Sequence, residues 1–493
     1  MHKKKLVELL NGIDALDIQG DTDILIDSIY FDSRDVTPGS LFVAIPGTIH
    51  DGTEFISQAI ERGARAVISD RNYPPFLPAV TYITVADSRT ALGMIAHTFY
   101  EHPSRKLRLV GVTGTNGKTT TATLLYSLFR RLGLHVALIS TIENRIDDES
   151  FATTHTTPDP LTLAAFLSRA ASKGCEYAFM ECSSHAIHQK RIHGLHFAGA
   201  LFTNLTHDHL DYHKTVDEYA KAKKGLFDAL PETAFALVNR DDPRGEYMAS
   251  DTHARKYFFS LIDTPETSLL NNAENTFSGL LLEKSLNGTG IRINGEILHT
   301  KLIGKFNAYN IVGIYSAALL LGIPKWDVIS TIASLPAPAG RFEFIQLPSG
   351  AHAVIDFAHT PDAVENVLST LREVIPNEAR IITVIGCGGN RDTSKRSVMG
   401  AITCRLSDYA IFTSDNPRNE NPEDILTDMT QDLPPETKNY TCITDRSTAI
   451  ATAKKMSTNK DVVLVAGKGH EQYQIVADQH IPFFDKAELI KNP

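Results

Sequence analysis

One stretch, "LRLVGVTGTNGKTTTATLL" (107–125), constrains the fold more than any other. Its apolar run LRLVGV (107–112) reads as a strand and ends in a glycine-rich turn. Leu124, Leu125, Leu128 and Leu132 then recur at helical spacing until Gly133 stops the helix. Strand, glycine turn and helix make one unit of a mainly parallel sheet, where ligands collect beyond the carboxyl ends of strands. The turn holds Gly117-Lys118-Thr119, yet it departs from the common G-x-x-x-x-G-K-[ST] spacing, because Val112 stands where the first glycine belongs. Either the Gly-Lys-Thr is fortuitous or the chain carries a distinct kind of nucleotide loop.

The same rhythm continues downstream. HVALIS, YAFMEC, GALFTN and AFALVN (234–239) read as further strands of one α/β unit, and HAVIDF, RIITVIG, YAIFTS and DVVLVAG as those of a second. Two polar or proline-bearing joints, 100–108 and 334–343, divide the chain. The expected organisation is a small mixed α/β domain over 1–102, a central P-loop α/β domain over 103–336 and a Rossmann-like α/β domain over 337–493. GCGGN (386–390) hints at a dinucleotide fingerprint but lacks the third glycine, so no NAD site is expected.

Composition narrows the function classes. A formal net charge of −10 argues against a broad nucleic-acid footprint. Five scattered cysteines without zinc spacing point to a reducing compartment. The start, "MHKKKLVELLNGIDALDIQG", lacks the apolar core of a secretion signal, and no apolar run is long enough to span a bilayer. A cytoplasmic enzyme is expected.

The residues at the strand ends suggest phosphate chemistry. Gly114, Thr115, Asn116, Gly117, Lys118, Thr119 and Thr120 open a helix, where backbone amides and the helix dipole favour phosphate. Lys118 can bridge phosphate oxygens and Thr119 can ligate Mg²⁺; an ordinary strand–helix turn with a solvated lysine is the plain alternative. Glu181 ends YAFMEC, where a carboxylate can hold a metal or simply cap a helix. Between 207 and 213 the chain concentrates three histidines and two aspartates, suggesting Mg²⁺ ligation or phosphate contact, with zinc a less supported rival. Thr215 and Glu218 form a capping-box pattern. In the helix that follows, Lys223 falls within the apolar stripe of Val216, Tyr219, Ala220, Leu226 and Phe227, whereas Lys221 lies opposite. Burial would depress its pKa and leave a nucleophilic amine. The pattern alone favours a lysine whose stem packs while its head reaches water.

Nine motifs, in order, resemble the Mur ligases of peptidoglycan synthesis: GVTGTNGKTTT, ECSSHAIHQKR, TNLTHDHLDYH, DEYAKAKKGLF, GKFNAYN, DFAHTPD, GCGGNRD, DNPRNENP and GKGHEQYQ. The likeness runs from 31 to 471, with the diaminopimelate-adding branch nearest. The resemblance implies an N-terminal domain for the UDP end of the substrate, with ATP in the cleft between the other two. It implies phosphorylation of the D-glutamate carboxylate of UDP-MurNAc-L-Ala-D-Glu to an acyl phosphate, then attack by an amine. Residue by residue, it makes 114–120 the ATP phosphate loop. Thr119 and Glu181 would hold one Mg²⁺; His209 and Lys223, as a CO₂-derived carbamate, a second. Lys118, Glu181, His209 and Lys223 become the catalytic set, and Asn307, Arg341 and His359 nucleotide contacts. Ser33, Thr48, Ile49 and His50 would meet the uridine end, and Thr156, Thr157, Ser183, Gln189 and Arg191 the sugar-peptide. Arg391, Asp415, Asn416, Pro417, Arg418, Gly467 and Glu471 would form the pocket for meso-diaminopimelate. Arg418 would grip the carboxylate that lysine lacks; by itself DNPR reads as a type I turn with a surface arginine. A monomer without membrane insertion is implied. A lysine-adding sister enzyme and a P-loop kinase or nucleotide switch remain the alternatives.

Overall fold

The computed structural model describes residues 3–47, 50–71, 76–153, 155–206, 208–262, 275–347 and 350–491. Three large sheets organise them. The first takes Ala15–Gln19, Thr81–Val85, Ala64–Ser69, Ser40–Ala44 and Ile29–Tyr30 in that order, antiparallel only at Ala15–Gln19.

The central sheet has eleven described strands. At its middle, β1 (Arg108–Thr113), β2 (Tyr177–Glu181) and β3 (Gly199–Phe202) lie in the order β2-β1-β3, all parallel. Parallel strands covered on both faces read as continuous apolar runs, and β2 and β3 are buried at every position. Two antiparallel additions extend the edges: Asn144–Ile146 with Glu149–Phe151, and Gly288–Ile293 with Glu296–Thr300. The sequence reading did not anticipate these, because short edge strands with exposed charges lack both the apolar run and a clean alternation.

Helix α1 (Lys118–Arg131) packs Leu124, Leu125 and Leu128 into the core, and Gly133 at φ +80° follows its end. Helix α2 (Val216–Asp228) buries Tyr219, Ala220, Leu226 and Phe227 on the opposite side of the sheet. Only half of its expected capping box forms. Thr215 Oγ1 accepts from Glu218 N at 3.1 Å, while Thr215 N donates to the His213 carbonyl at 2.8 Å instead of to Glu218. Helix α3 (Lys305–Leu320) is apolar on most faces and covers the sheet beside α1.

The third sheet contains β4 (His352–Asp356), β5 (Tyr409–Phe412) and β6 (Val462–Ala466). Its order is Glu343–Gln346, β4, β6, Ile381–Ile385, β5, Tyr440–Cys442, parallel except at Glu343–Gln346. Helix α4 (Pro361–Val374) follows β4 under a Thr360 cap. The last helix, Asp485–Ile490, is tied down by a fully buried ion pair: Arg446 Nε and Nη2 donate to Asp485 at 2.7 and 2.8 Å. Arg446→Ala strands the Asp485 charge and should cost about 3–5 kcal/mol, read as a drop in melting temperature. The paired Arg446→Met/Asp485→Leu variant should lose much less, because neither charge then stays buried alone.

Candidate active site

The glycine turn after β1 adopts a conformation that larger residues could not follow. A Cβ on Gly114 (φ +150°) would lie 1.9 Å from Thr203 Oγ1, and one on Gly117 (φ +83°) 2.7 Å from Asn310 Oδ1. Asn204, at the end of β3, braces the turn. Its carbonyl accepts from Thr115 N at 2.8 Å and its Oδ1 from Asn116 N at 2.9 Å. Thr121 N donates to the Gly117 carbonyl at 2.9 Å in the first turn of α1, and the free amides of a helix N-terminus favour an anion. Lys118 Nζ folds back onto the Gly114 and Thr115 carbonyls at 3.0 and 2.7 Å.

Glu181 is fully buried at the end of β2. Its carboxylate accepts from Thr119 Oγ1 at 2.9 Å, Thr141 N at 2.7 Å and Thr141 Oγ1 at 3.2 Å. One buried carboxylate beside a hydroxyl and a phosphate loop is a donor set suited to Mg²⁺, which binds through one or two carboxylates plus substrate phosphates. Among the described residues no group of three or more His, Cys, Asp or Glu is placed to hold a metal by itself. Two of the three imidazoles of 207–213 are among the described residues. His213 Nε2 bonds Ser184 Oγ at 2.9 Å and its ring lies 5.2 Å from Tyr219. His209 sits beside Asp208, Nε2 to Oδ2 3.4 Å, at φ +55°; His207 lies outside the described residues.

Lys223 is buried rather than snorkelling, with 1% exposure. Its Nζ donates to the Gly114 carbonyl at 2.6 Å and rests 4.4 Å from the Tyr219 ring centroid. Burial, with Lys118 nearby, pushes its ammonium well below the ordinary lysine range, against the opposing pull of Asp208 and Cys182. Its neighbour Lys224 is also buried, but pairs with Asp228 and Asp251, each at 2.6 Å.

The third domain closes on this turn. Asp362 Oδ2 of α4 accepts from Asn116 Nδ2 at 2.7 Å and Thr206 Oγ1 at 3.2 Å, and Arg341 Nη2 donates to Thr119 Oγ1 at 3.0 Å. The Arg341 guanidinium lies 4.6 Å from the Phe357 ring centroid. Burial pushes the nearby Asp356 carboxyl up to about 6, opposed by Arg341 and the amides of Phe342 and Ala358. Between the domains lies a cavity of about 530 Å³ lined by Asn116, Gly117, Thr120, Asn310, Arg341 and His359, among others. Asn307 lies one helical turn from Asn310, which donates to it at 3.2 Å.

Thr156, Thr157, Ser183, Gln189 and Arg191 gather near the end of β2. Thr157 Oγ1 donates to the Glu181 carbonyl at 2.7 Å, the Thr141 and Thr156 hydroxyl oxygens lie 3.0 Å apart, and Ser183 N donates to Thr157 Oγ1 at 3.1 Å. Arg191 spans from the Thr157 carbonyl at 3.1 Å to Gln189 Oε1 at 2.7 Å. Ser33 and His50 belong to the first domain, Ser33 bonded to Gln58 at 2.6 Å and His50 edge-on to Phe55. Thr48 and Ile49 lie outside the described residues.

Asp415, Asn416, Pro417 and Arg418 follow β5, and Gly467 and Glu471 follow β6. The two loops touch: a Cβ on Gly467 (φ +107°) would lie 2.7 Å from Asp415 Oδ2, and Asn416 Nδ2 donates to Glu471 Oε2 at 2.8 Å. Arg418 is half-buried at φ +51°, not the exposed turn residue of the plain alternative. Its Nη1 donates to the Gly389 carbonyl at 2.7 Å, while its Nε/Nη2 edge takes no protein acceptor among the described residues. Arg391 is exposed two residues beyond Gly389. Sequence reasoning passed over Thr141, Asn204, Asp208, Asp362 and Lys468. All but Thr141 stand inside the quoted motifs, so adjacency to the named residues was the available signal.

Comparison with known proteins matches this architecture along its length. Residues 25–100 match the model of the Mur ligase family catalytic domain, 112–318 the Mur ligase middle domain and 340–469 the Mur ligase glutamate ligase domain. The UDP-N-acetylmuramoyl-L-alanyl-D-glutamate–2,6-diaminopimelate ligase of Bacteroides fragilis is 49% identical over 98% of both chains. That of Geobacillus thermodenitrificans is 40% identical over 95% of this chain and 94% of the relative. A solved structure of a ligase of the same description superposes with a TM-score of 0.70 at 29% identity, covering 99% of this chain and 98% of that one. With its phosphate turn, buried Glu181 and Lys223, and a third domain closing over them, this three-domain chain belongs to the Mur ligase family.

Proposed function

We infer that the chain is an ATP-dependent acid–amino-acid ligase that adds meso-diaminopimelate to UDP-N-acetylmuramoyl-L-alanyl-D-glutamate in peptidoglycan precursor synthesis. The observation that carries this reading is the pairing of two chemistries on two domains that touch through Asn116 and Asp362. A phosphate turn bonded to buried Glu181 faces a domain whose strand-end loops offer a free Arg418 edge and the Glu471 carboxylate. The D-glutamate carboxylate attacks the terminal phosphorus of ATP and ADP leaves. The acceptor amine then attacks the acyl carbonyl, and inorganic phosphate leaves with both electrons of the broken C–O bond.

Lys118 would turn from the turn's own carbonyls to the transferring phosphoryl oxygens, and the amides of 117–120 would hold the chain of phosphates. Thr119 and Glu181 would hold one Mg²⁺, and His209 with Lys223 as a carbamate would hold a second; these ions would neutralise charge on the transferring group. The depressed basicity of Lys223 supports carbamate formation, since CO₂ adds only to the neutral amine. Asn307, Arg341 and His359 are assigned to the nucleotide. Ser33, Thr48, Ile49 and His50 are assigned to uridine, and Thr156, Thr157, Ser183, Gln189 and Arg191 to the sugar-peptide. Asp415, Asn416, Pro417, Arg418, Gly467 and Glu471, with Arg391, form the acceptor pocket. The described cysteines are all free, four of them buried, in keeping with a reducing compartment, and no described helix is long and apolar enough to cross a membrane. A cytoplasmic monomer is the reading proposed.

ADP release by the purified protein should require both the nucleotide-sugar dipeptide and a free amino acid; turnover without them would favour a kinase or nucleotide switch. In a panel of diaminopimelate stereoisomers and lysine, kcat/KM should favour meso-diaminopimelate over lysine by on the order of 10⁴-fold. Equal use of lysine would assign the chain to a lysine-adding sister enzyme.

A further inference from the structure

Lys468 stands between Gly467 and Glu471, in the loop that follows β6. Its side chain has 0% exposure, beneath the Tyr473 ring at 6.0 Å. An ammonium so placed needs both a counter-charge and acceptors for its protons. It finds them on both loops of the acceptor pocket. Lys468 Nζ donates to Glu471 Oε2 at 2.7 Å and to Asn416 Oδ1 at 3.0 Å. Asn416, itself 4% exposed, returns its Nδ2 to the same Glu471 oxygen at 2.8 Å, and its Oδ1 also accepts from Ile475 N at 3.0 Å. The ring of bonds fixes the amide orientation of Asn416 and occupies Glu471 Oε2 twice. Glu471 Oε1 takes no donor among the described residues, and the side chain keeps 21% of its surface exposed.

We propose that Lys468 is the positioning residue of the acceptor pocket, locking Asn416 and Glu471 into one unit that presents a single carboxylate oxygen to the acceptor's ammonium. This rests on the acceptor-pocket reading above. Beside it, the free Nε/Nη2 edge of Arg418 offers donors to a carboxylate. The pocket is thus built for an amino acid carrying both charges. Without Lys468, Glu471 and Asn416 lose their shared partner, and the carboxylate can rotate away from the ammonium it must meet. The phosphate turn takes no bond from this network; the loop reaches the nucleotide side through His470, 5.2 Å from the Phe357 ring beside Arg341, so the ATP KM serves as the control.

The test is steady-state ligation with Lys468→Met and Lys468→Gln, alone and combined with Glu471→Gln. Each single Lys468 variant should raise the KM for diaminopimelate by roughly 10–100-fold while the KM for ATP stays within about twofold. In the Glu471→Gln background the same substitution should add less than about threefold, because its partner has lost its charge. Lys468→Gln keeps a polar but neutral donor one bond shorter than the lysine, and it carries the measurement if the methionine variant does not fold. A diaminopimelate KM unchanged in a folded variant, or an equal rise in the ATP KM, overturns the role of Lys468 alone. Failure of the parent chain to use diaminopimelate overturns it together with the functional reading.

Discussion

Replacing Lys223 by alanine should lower ligation turnover by roughly 10³-fold, and a short carboxylic acid in the assay should restore part of it. The geometry separates this outcome from unfolding. Among the described residues Lys223 makes no ion pair and one hydrogen bond, to the Gly114 carbonyl, and burial disfavours its charge. Truncation therefore removes a group whose charge burial disfavours, and the Gly114 carbonyl keeps its bond from Lys118 Nζ at 3.0 Å, so the cost is that of the cavity left by the side chain. What it removes for catalysis is an anionic oxygen pair beside the phosphate turn, if the amine carries CO₂. Acetate or formate can enter the space vacated by the side chain and supply two such oxygens. Turnover that persists in Lys223→Ala with intact Mg²⁺ dependence would take Lys223 out of the mechanism. Loss without rescue would leave it a packing residue beneath the turn.

The second large effect concerns the acceptor. Arg418→Asn should reduce kcat/KM for diaminopimelate by about 10²–10³-fold and leave the slow use of lysine unchanged or faster. Asparagine is a cleaner probe than alanine here. Arg418 sits at φ +51°, which asparagine tolerates better than other residues with a Cβ. The strand-like contacts that hold this backbone, Arg418 N to the Ile475 carbonyl at 3.0 Å and Ala477 N to the Arg418 carbonyl at 2.8 Å, can then survive. Arg418→Ala removes the same fork but also strains the loop, so comparing the two separates charge recognition from loop shape. Undiminished diaminopimelate use in both variants would show that selectivity resides elsewhere.

Much of the scaffold around these residues was legible because burial writes itself into sequence. β2 and β3 are apolar runs since both sheet faces are covered, and Lys223 stood out because α2 shows its apolar stripe at helical period. That period could locate Lys223 in the stripe but not tell snorkelling from burial; the difference depends on the turn lying above it. Lys224 escaped notice because its burial depends on Asp228 and on Asp251, which is remote in sequence. The bond from Asn116 to Asp362 had no local signature at all. Nor did the positive φ of Arg418, which the hairpin at 473–482 imposes through backbone bonds rather than through any preference of arginine.

The closing of Asp362 onto the phosphate turn has a consequence for synthesis of the chain. Asn116 and Asp362 are separated by 246 residues. At about 5–20 residues per second, the turn leaves the ribosome roughly 12–50 s before its partner. In that interval the contacts available to it are local to the central domain: Asn204, Thr203, and the carbonyls onto which Lys118 folds. The nascent central domain can thus complete its fold with the turn's lysine hydrogen-bonded, while the cleft waits for the last third of the chain.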